Sequence, residues 1–318
     1  MYTKFYELRQ EAFLLTPDPN FLHLAEPHRE ALGRLMQGIL GKKGFLVLSG
    51  PVGTGKTTLL HSTLKLLMDS SISRAPIASA FLVNPTLTRE EFIEAVLAEF
   101  EIPCTASSKP RRLSALQEFL QNRSRAGGTS VLIVDEAHLL SPELLEELRM
   151  LGNADTYGEK LLQVVLSAQP DIWGVLNRPQ SLALRQRIAM KAVLRELSLP
   201  ETRVYIAQRL FFAGMRGDSP FTSPAVELIF ENSNGVPRII NLICDHCLTS
   251  GAATKRRMVS PDMVEDAVAA LGLDVVEEPV AVPETRIDAG PAKVDQVLRT
   301  VVDQLIEVMR QRHEIAKP

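Results

Sequence analysis

The stretch from Phe45 to Thr58, FLVLSGPVGTGKTT, constrains this chain more than any other. Phe45-Leu46-Val47-Leu48 is an apolar run of strand length. It breaks into Gly50-Pro51-Val52-Gly53-Thr54-Gly55-Lys56-Thr57, followed by Thr58 and a helical apolar pattern at Leu59, Leu60, Leu64 and Leu67. This is a full match to G-x-x-x-x-G-K-[ST] in a strand–loop–helix context. Glycines let backbone N–H groups turn inward around phosphate oxygens, and the helix N-terminus adds partial positive charge. Lys56 is placed for the β- and γ-phosphates, and the Thr57 hydroxyl for Mg²⁺. Residues Gly50 to Thr58 are therefore the expected nucleotide-phosphate cradle.

Strands and helices alternate around this loop. Pro27–Leu40 reads as a helix ahead of it, with Ala31, Leu32, Leu35, Met36 and Ile39 on one face. Ile77–Val83, Val131–Val134, Leu161–Ser167 and Lys191–Leu197 read as further strands. Val131–Val134 is apolar at every position, as suits a central parallel strand covered on both faces. Helices are expected over Thr88–Phe100, with Thr88 and Glu91 as a capping box, over Leu113–Arg125, and over Ser141–Leu151. The pattern predicts an α/β protein with a doubly wound parallel sheet over residues 1–200. Beyond Pro200 the periodicity is helical, over Glu201–Gly214, Ser223–Ser233, Pro237–Ala252 and Pro261–Leu271, predicting a small all-α lid domain over 201–273. Residues 274–293 (DVVEEPVAVPETRIDAGPAK) read as a linker, and 294–318 as an amphipathic helix for self-association or a partner.

The second chemical signal is Asp135-Glu136-Ala137-His138 at the end of the 131–134 strand. A carboxylate pair at a strand tip beside a phosphate loop is what ATP hydrolysis needs. Asp135 is placed to orient Mg²⁺ and its waters, and Glu136 to act as general base on the attacking water. His138 reads as a helix-start or loop residue rather than a metal ligand. The four letters also occur in DEAH helicases, but the arginine-rich helicase motif with two spaced glycines has no counterpart here. At the end of the next strand, Ser167 and Gln169 compete for a polar role between the acids and the γ-phosphate. Arg185 and Arg187 precede the last sheet strand, where an arginine can reach a neighbouring subunit's nucleotide; Arg187 is placed ahead of Arg185. Arg238, in Gly235-Val236-Pro237-Arg238, opens a helix of the lid and is placed to sense the γ-phosphate.

Composition narrows the partners. The 318 residues carry a net charge of -3 and only 5% aromatics, so neither a general basic surface nor stacking platforms for single strands are expected. Three cysteines (Cys104, Cys244, Cys247) give no disulfide framework and fit a reducing compartment. Cys244 and Cys247 sit in an apolar helical pattern and read as small core residues. The N-terminus has no apolar h-region, and no run of about 18 apolar residues occurs, so a cytoplasmic protein is expected, peripheral at most to the inner membrane.

Taken together in this order, the parts resemble the AAA+ ATPases, and more closely the ATPase domain of the general secretion pathway protein A (ExeA-like) family with its TniB-type transposition relatives. The residues carrying the resemblance are Met1-Tyr2 with Phe5; Thr16-Pro17-Asp18-Pro19 with Phe21; His28 to Leu32; Gly50 to Thr58; Asp135 to His138; Leu184 to Ile188; Tyr205-Ile206 with Arg209-Leu210 and Ala213-Gly214; and Gly235 to Asn241 with Cys244-Asp245. It spans roughly residues 1–272. The resemblance implies ATP held between subunits of a homo-oligomer, ring or filament. It assigns phosphate and Mg²⁺ to Lys56 and Thr57, metal and water to Asp135 and Glu136, a finger in trans to Arg187, lid sensing to Arg238, and the adenine side to the Asp18–Ala31 region. Secretion-type members usually continue into a transmembrane helix and a periplasmic peptidoglycan-binding domain, neither of which this sequence shows.

Two functions follow. The first is an ATP-driven assembly or remodelling factor for a protein of a bacterial secretion or envelope system, of the polysaccharide or exosortase type. The alternative is a DNA-binding regulator of the transposition type, using Arg111-Arg112, Arg123, Arg125 and Lys255-Arg256-Arg257. A scaffold whose slow hydrolysis only sets assembly state is a third, argued against by Glu136.

Overall fold

The computed structural model describes residues 2–15, 25–69, 76–83, 86–103, 108–156 and 158–273. These divide into two compact units. The expected linker and C-terminal helix, Cys104 and the 16–24 segment lie outside the described residues.

The sheet unit comprises residues 26–52 and 56–194. Its strands are β1 (Phe45–Ser49), β2 (Ile77–Leu82), β3 (Thr129–Val134), β6 (Leu162–Ala168) and β7 (Ile188–Val193), with a small hairpin of β4 (Asp155–Thr156) and β5 (Glu159–Lys160). The five long strands are all parallel, in the order β2-β3-β6-β1-β7. β1, β3 and β6 are buried at every residue, which is why their centres are apolar runs rather than alternations. Helices α1 (Glu26–Leu40), α2 (Lys56–Met68), α3 (Arg89–Glu99), α4 (Lys109–Arg125) and α5 (Pro142–Leu151) connect and cover the sheet, followed by the short α6 (Ile172–Leu176) and α7 (Leu182–Arg185). The capping box at Thr88 and Glu91 starts α3, with both reciprocal bonds made. α4 begins earlier than the apolar pattern indicates, because Pro110 supplies a preset first turn.

The last strand differs from the sequence reading. It runs from Ile188 to Val193, not Lys191 to Leu197. A register shift against β1 between Phe45 and Leu46 lets Ile188 pair early, and Leu194 keeps one more bond, donating to the Ser49 carbonyl at 2.8 Å. Beyond it the chain leaves the sheet.

The helical unit comprises the described residues up to Ala25, Gly53–Gly55, and 195 onward. It holds α8 (Leu199–Phe212), α9 (Ser223–Ser233), α10 (Pro237–Thr254) and α11 (Pro261–Ala270). The sequence reading groups the N-terminal segment with the sheet; here it clusters with these helices. The Tyr2 hydroxyl donates to Asp245 on α10 at 2.9 Å and accepts from the Ala12 N–H at 3.2 Å. The buried Arg209 on α8 donates to the carbonyls of Ala12 at 2.7 Å and Leu14 at 3.1 Å. Cys244 and Cys247 are buried, free thiols in the core of α10, and burial raises both pKa values, that of Cys247 to about 12.

Two predictions arise from this unit. Gly235 has φ +72°, and a Cβ there would lie 1.9 Å from the Leu197 carbonyl oxygen, a backbone atom that cannot swing aside. Its own carbonyl accepts from the Leu197 N–H at 2.9 Å. Gly235→Ala therefore costs about 2–3 kcal/mol, read as a lower denaturant midpoint; an unchanged midpoint refutes the clash. The second concerns acid. The Arg195 guanidinium, hydrogen-bonded to Glu201, holds that carboxyl down to about 2 from 4.5, with help from the Ser198 backbone and hydroxyl at the α8 cap. A depressed carboxyl stabilises the fold fully above its unfolded pKa and loses that contribution as pH falls through the folded one. Between about pH 4.5 and 2, wild type should therefore lose more stability than Glu201→Gln; parallel acid limbs would refute the linkage.

Candidate nucleotide site

Within the sheet unit the expected residues converge at the C-terminal ends of three adjacent strands, β3, β6 and β1. In open α/β sheets that edge is where ligands bind. The phosphate loop leaves β1 tied to β6, since the Gly50 N–H donates to the Ala168 carbonyl at 3.2 Å. α2 begins at Lys56, so the first-turn N–H groups of Lys56, Thr57 and Thr58 have no partner within the helix and are available to an anion.

Lys56 is buried, and its ammonium folds back onto the loop, donating to the carbonyls of Gly50 at 2.7 Å and Pro51 at 2.9 Å. Burial pulls its pKa below the ordinary lysine value; Glu136, Asp135 and Asp171 push the other way. The Thr57 hydroxyl donates to the Asp135 carboxylate at 2.7 Å. This bond joins two motifs that are 78 residues apart in sequence. The other Asp135 oxygen accepts from the Glu136 N–H at 3.0 Å, and the Asp135 N–H extends the β2–β3 ladder to the Leu82 carbonyl at 2.9 Å. Asp135 is thereby buried and fixed. Glu136 has a left-handed backbone, φ +50°, and its side chain is 44% exposed. A non-glycine residue held there marks a locally constrained turn, and such turns cluster at functional sites. A hydroxyl and a carboxylate in contact form a hard-oxygen donor set that fits Mg²⁺, which takes one or two protein oxygens and fills its shell with water and phosphate.

The two polar candidates on β6 separate. Ser167 lies inside the strand opposite Leu48, fully buried, with its hydroxyl unpartnered. Gln169 follows the strand end and lies 3.0 Å from the His138 ring. His138 lies in the 3-10 turn Ala137–Leu139, the helix-start position read from the sequence; its contact with Gln169 is one that the sequence does not signal. Arg187 is half-buried and donates to the Arg149 carbonyl and the Asn153 side chain, whereas Arg185 is exposed and makes no side-chain bond among the described residues. In the helical unit, the loop tip Gly53–Gly55 meets the start of α10. The Arg238 N–H donates to the Gly53 carbonyl at 3.2 Å, and a Cβ on Gly53 (φ +79°) would lie 2.9 Å from Arg238 Cβ. Thr54 is buried there, and the exposed Arg238 guanidinium makes no hydrogen bond or ion pair among the described residues. Val52, in the sheet unit, is exposed.

The AAA domain family matches residues 39–176, from the end of α1 through α6. Residues 39–176 thus carry an AAA domain. It is 37% identical over 254 residues to general secretion pathway protein A of Aeromonas hydrophila, a match covering 80% of this chain and 45% of that protein. The chain thus spans less than half the length of that relative. Among solved structures, the Aeropyrum pernix ORC2 protein aligns with a TM-score of 0.63 at 20% identity, covering 82% of this chain and 71% of that one. The Thermotoga maritima RuvB Holliday junction branch migration motor aligns at 0.53 and 19%, covering 82% and 74%. At such identities these structures report the AAA+ fold alone. No helix among the described residues is long and apolar enough to cross a membrane.

Proposed function

We propose that this AAA+ protein binds ATP with Mg²⁺ at the β1–β6–β3 edge, hydrolyses it, and couples nucleotide state to homo-oligomerisation and to remodelling of a protein partner in a bacterial secretion or envelope system. The observation that carries the ATPase reading is the Thr57–Asp135 hydrogen bond at 2.7 Å, which unites the phosphate loop with the acid pair. Lys56 and the first-turn N–H groups of α2 hold the phosphates, Thr57 and Asp135 hold the metal, and Glu136 takes the proton from the attacking water. A divalent metal held by Thr57 and Asp135 would supply positive charge against the charge that develops on the transferred phosphoryl group. Gln169 is the polar group between acids and phosphate, Arg187 the finger supplied to a neighbour, and Arg238 the nucleotide sensor beside Gly53.

The envelope partner is supported by the secretion-pathway relative. The DNA-binding alternative draws on basic groups that are largely used in-chain. Arg112 pairs with Glu94, Arg123 donates to the Pro76 carbonyl, Arg256 pairs with Asp262 and Arg257 with Glu7. A cytoplasmic location, peripheral to the inner membrane, goes with the first reading.

The test is nucleotide affinity and phosphate release on the full chain, with Mg²⁺, with and without duplex DNA. Lys56→Ala removes a charge-assisted contact and should weaken ATP binding by about 10–100-fold. Unchanged affinity would refute the phosphate assignment. Turnover stimulated by DNA in a salt-sensitive manner would replace the envelope reading with the DNA one.

A further inference from the structure

His138 has no assigned part in phosphate-loop chemistry, yet the structure places it between two residues that do. It lies in the 3-10 turn Ala137–Leu139 that follows the acid pair, with its side chain only 8% exposed. On one side, its Nε2 is 3.0 Å from the Gln169 side-chain nitrogen at the end of β6. On the other, its Nδ1 is 3.5 Å from the Glu136 carboxylate at the end of β3. Nδ1 is buried and completes no hydrogen bond.

The chemistry of the groups sets the direction of this bridge. A side-chain amide nitrogen only donates, so Nε2 of His138 accepts from Gln169. A neutral imidazole that accepts at Nε2 carries its proton on Nδ1, and that proton faces Glu136. The contact is a few tenths of an ångström too long for a full hydrogen bond. The half-exposed Glu136 side chain has room to close it, and a buried N–H without a partner favours closure.

We propose that His138 is a positioning residue that ties Gln169 to Glu136, so that the orientation of the base depends on where the Gln169 amide points. With the amide on His138, the ring is fixed as the Nδ1–H tautomer and offers Glu136 a donor that restrains its carboxylate. With the amide drawn to a phosphate oxygen, the ring loses the bond that fixes its tautomer. The state of the nucleotide is thereby relayed to the base through one side chain. This inference rests on the ATPase reading above.

The experiment compares His138→Phe and His138→Gln in the full chain, in wild-type and Glu136→Gln backgrounds. Phe keeps a planar ring but offers neither donor nor acceptor. Gln can accept from Gln169 and donate to Glu136 at once. His138→Phe should lower kcat by about 10–100-fold, the scale seen when a group orienting a functional residue is removed, with KM and ADP affinity unchanged. His138→Gln should recover most of the rate. In the Glu136→Gln background, His138→Phe should have no further effect, because the group it positions no longer acts. A purely structural role predicts the same loss in both backgrounds, and that result overturns the proposal. So does a Phe variant that turns over at the wild-type rate. If Phe overfills the turn and the protein does not fold, His138→Leu puts the same question with a smaller side chain. Wild-type protein without measurable turnover sinks the ATPase reading and this inference with it; active wild type with an indifferent Phe variant sinks this inference alone.

Discussion

If the proposed ATPase reading holds, Glu136→Gln should lower ATP turnover by about 10²–10⁴-fold, the range for loss of a general base, while nucleotide binding survives. The substitution preserves shape and removes only the ability to take a proton. The left-handed backbone at Glu136 is a property of the turn between β3 and the Ala137–Leu139 helix, not of the carboxylate, so the site keeps its geometry. Asp135 stays fixed by Thr57 and by the residue-136 N–H. Lys56 loses the strongest of its three acidic neighbours but keeps Asp135 and Asp171, so its ammonium still faces two carboxylates. Rapid-quench phosphate release together with equilibrium ATP binding separates the two effects. Loss of both binding and turnover would mean that Glu136 holds the site together rather than acting on water, and unchanged turnover would remove it from the mechanism.

The fold and the residues that meet at the candidate site were legible because both are written in local patterns. β1, β3 and β6 are buried on both faces, so each carries an apolar run in sequence: 45–48, 131–134 and 164–166. The phosphate loop and acid pair need fixed residue types at fixed spacing, and the sheet order β3-β6-β1 brings them together. What escaped was set by long-range contacts. The N-terminal segment carries a helix-like pattern that says nothing of its destination; Tyr2 reaching Asp245 across 243 positions and Arg209 reaching Ala12 across 197 decide it. The resemblance marked Tyr2 and Asp245 without saying that they meet. β7 begins three residues earlier than the apolar pattern indicates because Ile188 and Met190 also pair with β1, the last step across a register shift that no periodicity encodes. Ser167 and Gln169 share a strand-end pattern in sequence. They part only when one proves to lie inside the ladder and the other beyond it, against His138.

Arg187→Ala should lower the per-subunit turnover of the assembled protein by about 10³-fold or more, as expected for an arginine finger, and abolish any rise of specific activity with protein concentration. Two contacts fit a finger held ready rather than a loose surface arginine. One terminal nitrogen of Arg187 donates to the Arg149 carbonyl at 3.3 Å and to the Asn153 side chain, so the chain's own α5 end sets its direction while the rest of the planar fork stays available. Arg185, exposed and without such contacts, should tolerate alanine with concentration dependence intact. The same in-chain bonds offer a competing account, in which Arg187 merely braces α5 and its loss damages each subunit alone. Mixing decides between them. Glu136→Gln and Arg187→Ala subunits are each inactive, but a mixed interface pairs the intact Glu136 of the second with the intact Arg187 of the first. If Arg187 acts across subunits, the mixture regains part of wild-type turnover, more so at higher concentration. If it only braces its own α5, every site in the mixture still lacks one essential group, and activity stays at the level of the separate variants.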